Sequence, residues 1–349
     1  MQFGIFGSAQ ANSTDLGPET GQGFRDYLDY AAEAEALGYV SSFLVEHHFT
    51  GWNQVSATLM LQTALAMRTT TLRLGTAVIV LPWHNPVLLA EQAATLDLIS
   101  GGRLDFGIGK GYRHNEFAGF RVPPAEAEPR FEESVEVMTK AFVSRERFSH
   151  RGNFWQFDDI VVEPPPSQQP HPPFWVAAGS DASIRRAAKR GFNLILDQYA
   201  SPQVLGQRIA LYRAERIASG LREPARITVA RQAYVANDRA DAEAALEKQA
   251  AWNRRTVAVS RAPDGKAGSH ILSYAGTPEG TEANALYGTP DEICGKLDEL
   301  QAAGVEYIIL TLLGGIGQLQ RFAREVMPAF PDTPSRPDPA ARAREARPA

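Results

Sequence analysis

Eight short apolar runs punctuate the chain, and each is followed by at least one stretch with helical periodicity. The runs fall at residues 3–6, 42–45, 72–81, 103–108, 174–177, 193–196, 227–235 and 307–312. The helical stretches fall at 24–37, 56–67, 86–99, 130–142, 181–189, 203–218, 240–252, 291–303 and 319–326. In the first of these, Phe24, Tyr27, Leu28, Ala31, Ala34 and Leu37 share one side, and Gly38 supplies a C-terminal stop. Asn85-Pro86 places an N-cap before a proline at the first helical position, and Gly101-Gly102 breaks that helix at its other end. Continuous apolar strands alternating with amphipathic helices specify a parallel sheet covered by helices. Eight such units in 349 residues favour an α/β fold of the closed (β/α)8 TIM-barrel type over an open doubly wound sheet. The expected organisation is one barrel over residues 1–330, a polar Gly-rich insertion at about 254–288 acting as a lid, and a flexible Pro/Arg/Ala-rich tail at 331–349. Residues 154–173, rich in proline, read as an extended connection.

Composition removes several classes of partner. With 35 Lys+Arg against 40 Asp+Glu the chain is weakly acidic, so a nucleic-acid partner, which needs a basic face, is not expected. No apolar run is long enough to span a membrane. Cys294 is the single cysteine, which excludes a disulfide framework and a cysteine metal cluster. The start, Met1-Gln2-Phe3-Gly4-Ile5-Phe6, has neither the basic nor the long apolar region of a secretory leader, so a cytoplasmic location is expected.

Barrel enzymes carry their chemistry on loops at the C-terminal ends of the strands. That rule selects Glu46-His47-His48-Phe49-Thr50, Trp83-His84-Asn85, the segment from Gly109 to Glu116, Gly179-Ser180-Asp181 and Asp197-Gln198-Tyr199. Glu46-His47-His48 suits a metal by residue type, but adjacent strand residues point to opposite faces and no HExxH or CxxC partner exists. No metal is therefore expected. An imidazole here is either a hydrogen-bonded core group or a general base. Gly107-Ile108-Gly109-Lys110-Gly111 is neither a P-loop nor a Rossmann fingerprint. It reads either as close backbone packing or as a loop admitting a planar or phosphorylated ligand, with Lys110 and Arg113 supplying positive charge. Ser180 and Ser183 open a helix directly after a strand, where free N–H groups attract an anion, or they simply cap that helix. Gly314-Gly315 is a competing phosphate position.

Phe3-Gly4-Ile5-Phe6, the Glu46–Thr50 run, the stretch from Gly75 to Pro82, that from Gly102 to Ile108, Gly288-Thr289-Pro290-Asp291-Glu292 and Val326-Met327-Pro328 occur together in order. Over residues 1–330 this combination resembles the bacterial luciferase-like flavin monooxygenases. The resemblance implies a (β/α)8 barrel that takes reduced FMN (FMNH2) from a separate NAD(P)H:flavin reductase. It would use O2, by way of a flavin C4a-(hydro)peroxide, to oxygenate a small organic substrate.

Residue by residue, His47 corresponds to the catalytic imidazole and His48 to its neighbour. Ala77 and Val78 correspond to a pair joined by a cis peptide beside the flavin ring. Gly179, Ser180 and Ser183 correspond to the phosphate loop, Lys110 to a phosphate-contacting arginine and Arg130 to a second arginine near the phosphate. A lysine at 110 keeps the charge but loses the bidentate fork. Tyr112 joins the cofactor set, and Trp83, His84, His114 and Tyr199 form the expected substrate wall. Gly109 replaces the reactive cysteine of luciferases and Gly179 the acidic residue of the phosphate loop, which argues against a luciferase proper. Two other readings share the fold: a deazaflavin-dependent dehydrogenase or reductase, and a non-catalytic flavin-binding barrel. A homodimer is expected through helices bearing Leu59, Leu61, Leu65, Leu88 and Leu89.

Overall fold

The structure, a computed structural model, describes residues 1–11, 20–222, 224–260 and 284–331. Its strands are β1 (Gln2–Gly7), β2 (Ser41–Leu44), β3 (Arg73–Thr76), β4 (Ile79–Val80), β5 (Leu104–Gly109), β6 (Phe148–Arg151), β7 (Gln156–Ile160), β8 (Phe174–Ala177), β9 (Asn193–Leu196), β10 (Ile227–Val235), β11 (Leu286–Gly288) and β12 (Tyr307–Leu312). Eight of them pair in parallel in the order β1-β2-β3-β5-β8-β9-β10-β12, and β12 returns to β1, which closes the barrel. These eight are the eight apolar runs of the sequence.

The helices are α1 (Gln22–Ala36), α2 (Thr58–Ala66), α3 (Pro86–Ile99), α4 (His114–Phe120), α5 (Ala127–Val143), α6 (Asp181–Lys189), α7 (Pro202–Ala218), α8 (Arg239–Ser260), α9 (Pro290–Ala302) and α10 (Gly315–Glu325). The expected Asn85 cap is used, its carboxamide accepting from the Val87 and Leu88 N–H groups; the structure adds a capping box formed by Thr289 with Glu292.

Because side chains alternate along a strand, the barrel has two cores. Leu44, Phe106, Ile108, Ile308 and Leu310 face outward, Leu44 into a small cluster with Ala9 and Val55 and the others into the large shell between strands and helices. Phe43, Trp175, Ile195, Ala230, Tyr307 and Ile309 fill the barrel itself, with Ala77 and Val78 packed against them. On β5 the inward positions are Asp105, Gly107 and Gly109. A Cβ on Gly107 would lie 1.7 Å from the Thr76 carbonyl oxygen, and one on Gly109 would lie 2.4 Å from Val78 Cγ2. The glycine-rich strand end is therefore a close-packing device, the first of its two readings.

Asp105, fully buried, accepts from Arg73 Nε at 2.7 Å and Nη2 at 2.8 Å, and from Arg226 Nη1 at 3.2 Å. Burial alone would raise its pKa, but the two guanidiniums hold it below the usual carboxylate range. Asp105→Ala leaves both cations without their buried counter-charge and is expected to cost about 3–5 kcal/mol, read from urea unfolding midpoints.

Several expectations need correction. The run 72–81 is not one strand: it breaks after Thr76, where the Ala77–Val78 peptide is cis, and resumes as β4. Residues 154–173 are not wholly extended connection, because β7 lies within them and pairs antiparallel with β6. Glu133 anchors that hairpin by accepting the N–H groups of Asn153, Phe154 and Trp155. The expected insertion does not begin at Arg254, because α8 continues to Ser260; residues 261–283 and the tail from 332 lie outside the described residues. The leucines expected to face a second copy are not all at the surface. Leu59, Leu65 and Leu89 are buried in the shell, while Met60, Met67, Leu88, Leu98 and Ile99 are exposed on or beside α2 and α3.

Candidate active site

Glu46, His47 and His48 follow β2 at the C-terminal mouth of the barrel, and the two imidazoles reach different carboxylates. His47 Nδ1 lies 3.0 Å from Glu116 Oε1, and that same oxygen accepts the His48 backbone N–H at 3.0 Å. Glu116 is a buried residue of α4, a helix that the sequence reading missed. With the carboxylate oxygen accepting, the His47 proton sits on Nδ1 and Nε2 presents a lone pair. Burial and the nearby Arg113 charge outweigh the pull of Glu116 and hold the imidazole pKa below its ordinary value, so it is neutral at neutral pH.

His48 turns the other way. Its Nε2 donates to Glu46 Oε1 at 2.8 Å, His84 Nε2 donates to the same oxygen at 2.6 Å, and the Val80 N–H donates to Oε2 at 2.7 Å. Glu46 is only 2 % exposed. Burial would raise its pKa, yet the bonds from His48, His84 and Val80 hold it at about 2. One carboxylate thus ties the loop after β2 to β4 and to the turn carrying His84.

Aromatic rings surround this knot. Trp83 stacks on Phe120 at 5.1 Å and meets Phe117 edge-on at 5.2 Å, and His48 meets Phe120 edge-on at 4.8 Å. Trp83 Nε1 is sealed from solvent without a partner. Tyr199, Val257 and Tyr112 form a second cluster. Gln198 donates to the Tyr199 hydroxyl at 2.6 Å, and burial pushes that phenol up to about 12. Trp252 packs on Trp52 at 5.2 Å, so the end of α8 lies over loops that follow β2 and β9. His114 is the half-buried first residue of α4.

The expected anion-binding residues form a separate group. Ser180 caps α6 and shares a capping box with Ser183, their hydroxyl oxygens 2.9 Å apart. The capping reading is therefore realised, while the first-turn N–H groups of Asp181 and Ala182 remain without intrahelical acceptors. Lys110, 53 % exposed, pairs with Glu128, which also accepts from Arg186 Nη2 of α6 at 3.0 Å. Arg130 Nε donates to Glu126 at 2.8 Å and its guanidinium lies 4.6 Å from the Phe154 ring centre. Gly179 sits between β8 and α6. Among the described residues no group of three or more His, Cys, Asp or Glu side chains is placed to hold a metal, and no helix is long and apolar enough to cross a membrane.

Glu46, Glu116 and Phe120 complete the site. The acids were visible in the post-strand segments, but nothing in their spacing told which imidazole each would hold.

A closed parallel barrel with paired histidines at its mouth defines the class of protein, and sequence comparison names it. Residues 1–307 match the luciferase-like monooxygenase family, and the chain belongs to that family. It is 28 % identical over 337 residues to the oxygenase component of the flavin-dependent trigonelline monooxygenase of Acinetobacter baylyi, covering 89 % of this chain and 91 % of that one. It is 27 % identical to the FMNH2-dependent dimethylsulfone monooxygenase of Pseudomonas putida, covering 76 % of each. Another relative, 33 % identical, is matched over only 49 % of its own length. Among solved structures, the monooxygenase RslO1 from Streptomyces bottropensis superposes with a TM-score of 0.78 at 28 % identity, covering 95 % of this chain and all of that one.

Proposed function

We propose that this chain is the oxygenase component of an FMNH2-dependent monooxygenase, with His47 as its proton-handling group. The observation that carries this reading is the largely buried His47 imidazole, fixed through Nδ1 by Glu116 and presenting Nε2 at the barrel mouth. Two relatives, one named flavin-dependent and one FMNH2-dependent, support the cofactor.

The residues present fit a flavin phosphate beside α6: first-turn N–H groups, the Ser180 and Ser183 hydroxyls, and the Lys110 and Arg186 cations already gathered on Glu128. Ala77 and Val78, between β3 and β4, would face the ring, and Tyr112 and Arg130 would complete its surroundings. Bound reduced flavin supplies the electrons that activate O2. His47 Nε2 holds or releases the proton that this chemistry requires, and Glu116 keeps the ring in the necessary tautomer. Trp83, His84, His114 and Tyr199 would line the substrate side, where buried rings exclude water.

The deciding experiment supplies photoreduced FMN and O2 with a panel of organic molecules and looks for a product gaining the mass of one oxygen atom. Parallel titrations with FMN and a deazaflavin separate oxygenation from hydride transfer. Purified protein alone is expected to oxidise NADH no faster than buffer, because reduced flavin arrives from a separate reductase. Rapid NADH oxidation by the pure chain would contradict that division of labour. No oxygenated product from any member of a broad panel would favour the non-catalytic barrel.

The exposed Met60 and Leu88, 76 % and 56 % accessible, are proposed to be covered by a second copy of the chain. Met60→Lys combined with Leu88→Lys is expected to convert a dimer to a folded monomer in sedimentation analysis; an unchanged mass would refute this face.

A further inference from the structure

We propose that Arg113 receives a carboxylate on the organic substrate, so that the site oxidises organic acids in preference to neutral molecules; this deepens the oxygenase reading and rests on it. Arg113 stands between Tyr112 and the start of α4 and is 4 % exposed. Its Nε and Nη1 are sealed from solvent with no hydrogen-bond partner, and its guanidinium makes no hydrogen bond or ion pair among the described residues.

Two other buried arginines behave differently. Arg103 donates to the carbonyl oxygens of Ala66, Thr69, Leu72 and Ser100, and Arg231 to those of Asp197, Ala200 and Ala230. Those two stitch the fold together through backbone carbonyls; the Arg113 guanidinium makes no such bond and lies beside the Tyr112 ring. A buried cation without an acceptor is costly, and no structural use repays it here. Its planar fork of donors matches the two oxygens of a carboxylate.

Position selects the occupant. Arg113 is three residues from Glu116, the partner of His47, and its charge is felt at the His47 ring. The cations suited to a flavin phosphate, Lys110 and Arg186, are instead gathered on Glu128 beside α6. The Arg113 guanidinium carbon lies 5.9 Å from the centre of the Tyr112 ring, so the fork stands next to a residue expected beside the flavin. A carboxylate on Arg113 would therefore orient the remainder of the molecule at the mouth where His47 acts.

The test uses benzoate and benzamide, which share a ring and nearly a shape but differ in charge, with FMN-loaded wild type, Arg113→Met and Arg113→Lys. Benzoate is expected to raise the wild-type melting temperature and benzamide not. The methionine variant should lose the benzoate response and the lysine variant keep a weakened one. Because the guanidinium has no hydrogen bond or ion pair to lose and methionine keeps an apolar stem beside Tyr112, Arg113→Met should melt no lower than wild type. FMN affinity should stay within about twofold in both variants.

Equal responses to the two probes, or a full benzoate response in Arg113→Met, would overturn the proposal. So would a markedly lower melting temperature in Arg113→Met, which would make the residue structural. A loss of FMN affinity of about tenfold or more with riboflavin affinity intact would reassign it to the flavin phosphate. Failure of the wild type to bind any flavin would instead remove the oxygenase reading, while the paired probes would still report on Arg113.

Discussion

Replacing His47 with alanine is expected to lower product formation from supplied FMNH2 by about 10²–10⁴-fold, the range for losing a positioned acid or base. The melting temperature should barely move. The imidazole makes one side-chain hydrogen bond, to Glu116, and that carboxylate keeps the His48 N–H as a partner when the ring is gone. Glu116→Gln separates the ring from its orientation. The amide can still accept from Nδ1, but it no longer favours the imidazolium, so a smaller loss is expected.

The pH profile carries the sign. His47 is held below its ordinary value of 6.5 by burial and by Arg113. As a base it works while unprotonated, so activity should persist below pH 6.5 and fall only as acid reaches the lowered pKa. Near-normal turnover by the alanine variant would remove His47 from the chemistry, whatever its geometry.

Glu46→Gln should produce the largest combined effect on stability and function. The carboxylate is the shared acceptor for His48, His84 and the Val80 N–H. An amide offers one oxygen where two accept now, and its NH2 group faces donors. The loss is expected to be about 3 kcal/mol, as for a buried charge network broken on one side. Turnover should fall with it, since the loop carrying His47 and the segment after Ala77 lose their common anchor.

The pH dependence follows from the depressed pKa of Glu46. Its folded value, about 2, lies below the ordinary 4.5. The stabilisation is therefore fully present above pH 4.5 and lost as pH falls toward 2. The gap between wild-type and Glu46→Gln urea midpoints should be wide near neutral pH and narrow progressively in acid. A gap that stays constant would show that the carboxylate charge contributes nothing.

All eight barrel strands were legible because burial on both sides makes a parallel strand continuously apolar, and the helices between them carry the 3.6-residue stripe. The elements that escaped are those whose pattern is set by neighbours. α4 has only seven residues and an N-terminus without a side-chain cap. The β6–β7 hairpin sits in polar sequence and is held by Glu133 of α5 rather than by its own alternation.

The site divides in the same way. The sequence by itself determined a barrel whose strand ends carry Glu46-His47-His48, His84 and a Gly-rich turn, since strand periodicity alone decides which residues reach the mouth. It also led to the expectation that the two histidines diverge; they do, but from the loop after β2 rather than from the strand itself. Only the tertiary structure decided that His47 pairs with Glu116, 69 residues away, and that Glu46 gathers His48 and His84. The same holds for Arg113, whose guanidinium ends buried without a partner. Charge pairing depends on which loops meet across the barrel mouth, and burial depends on what covers them. Neither quantity is local in sequence.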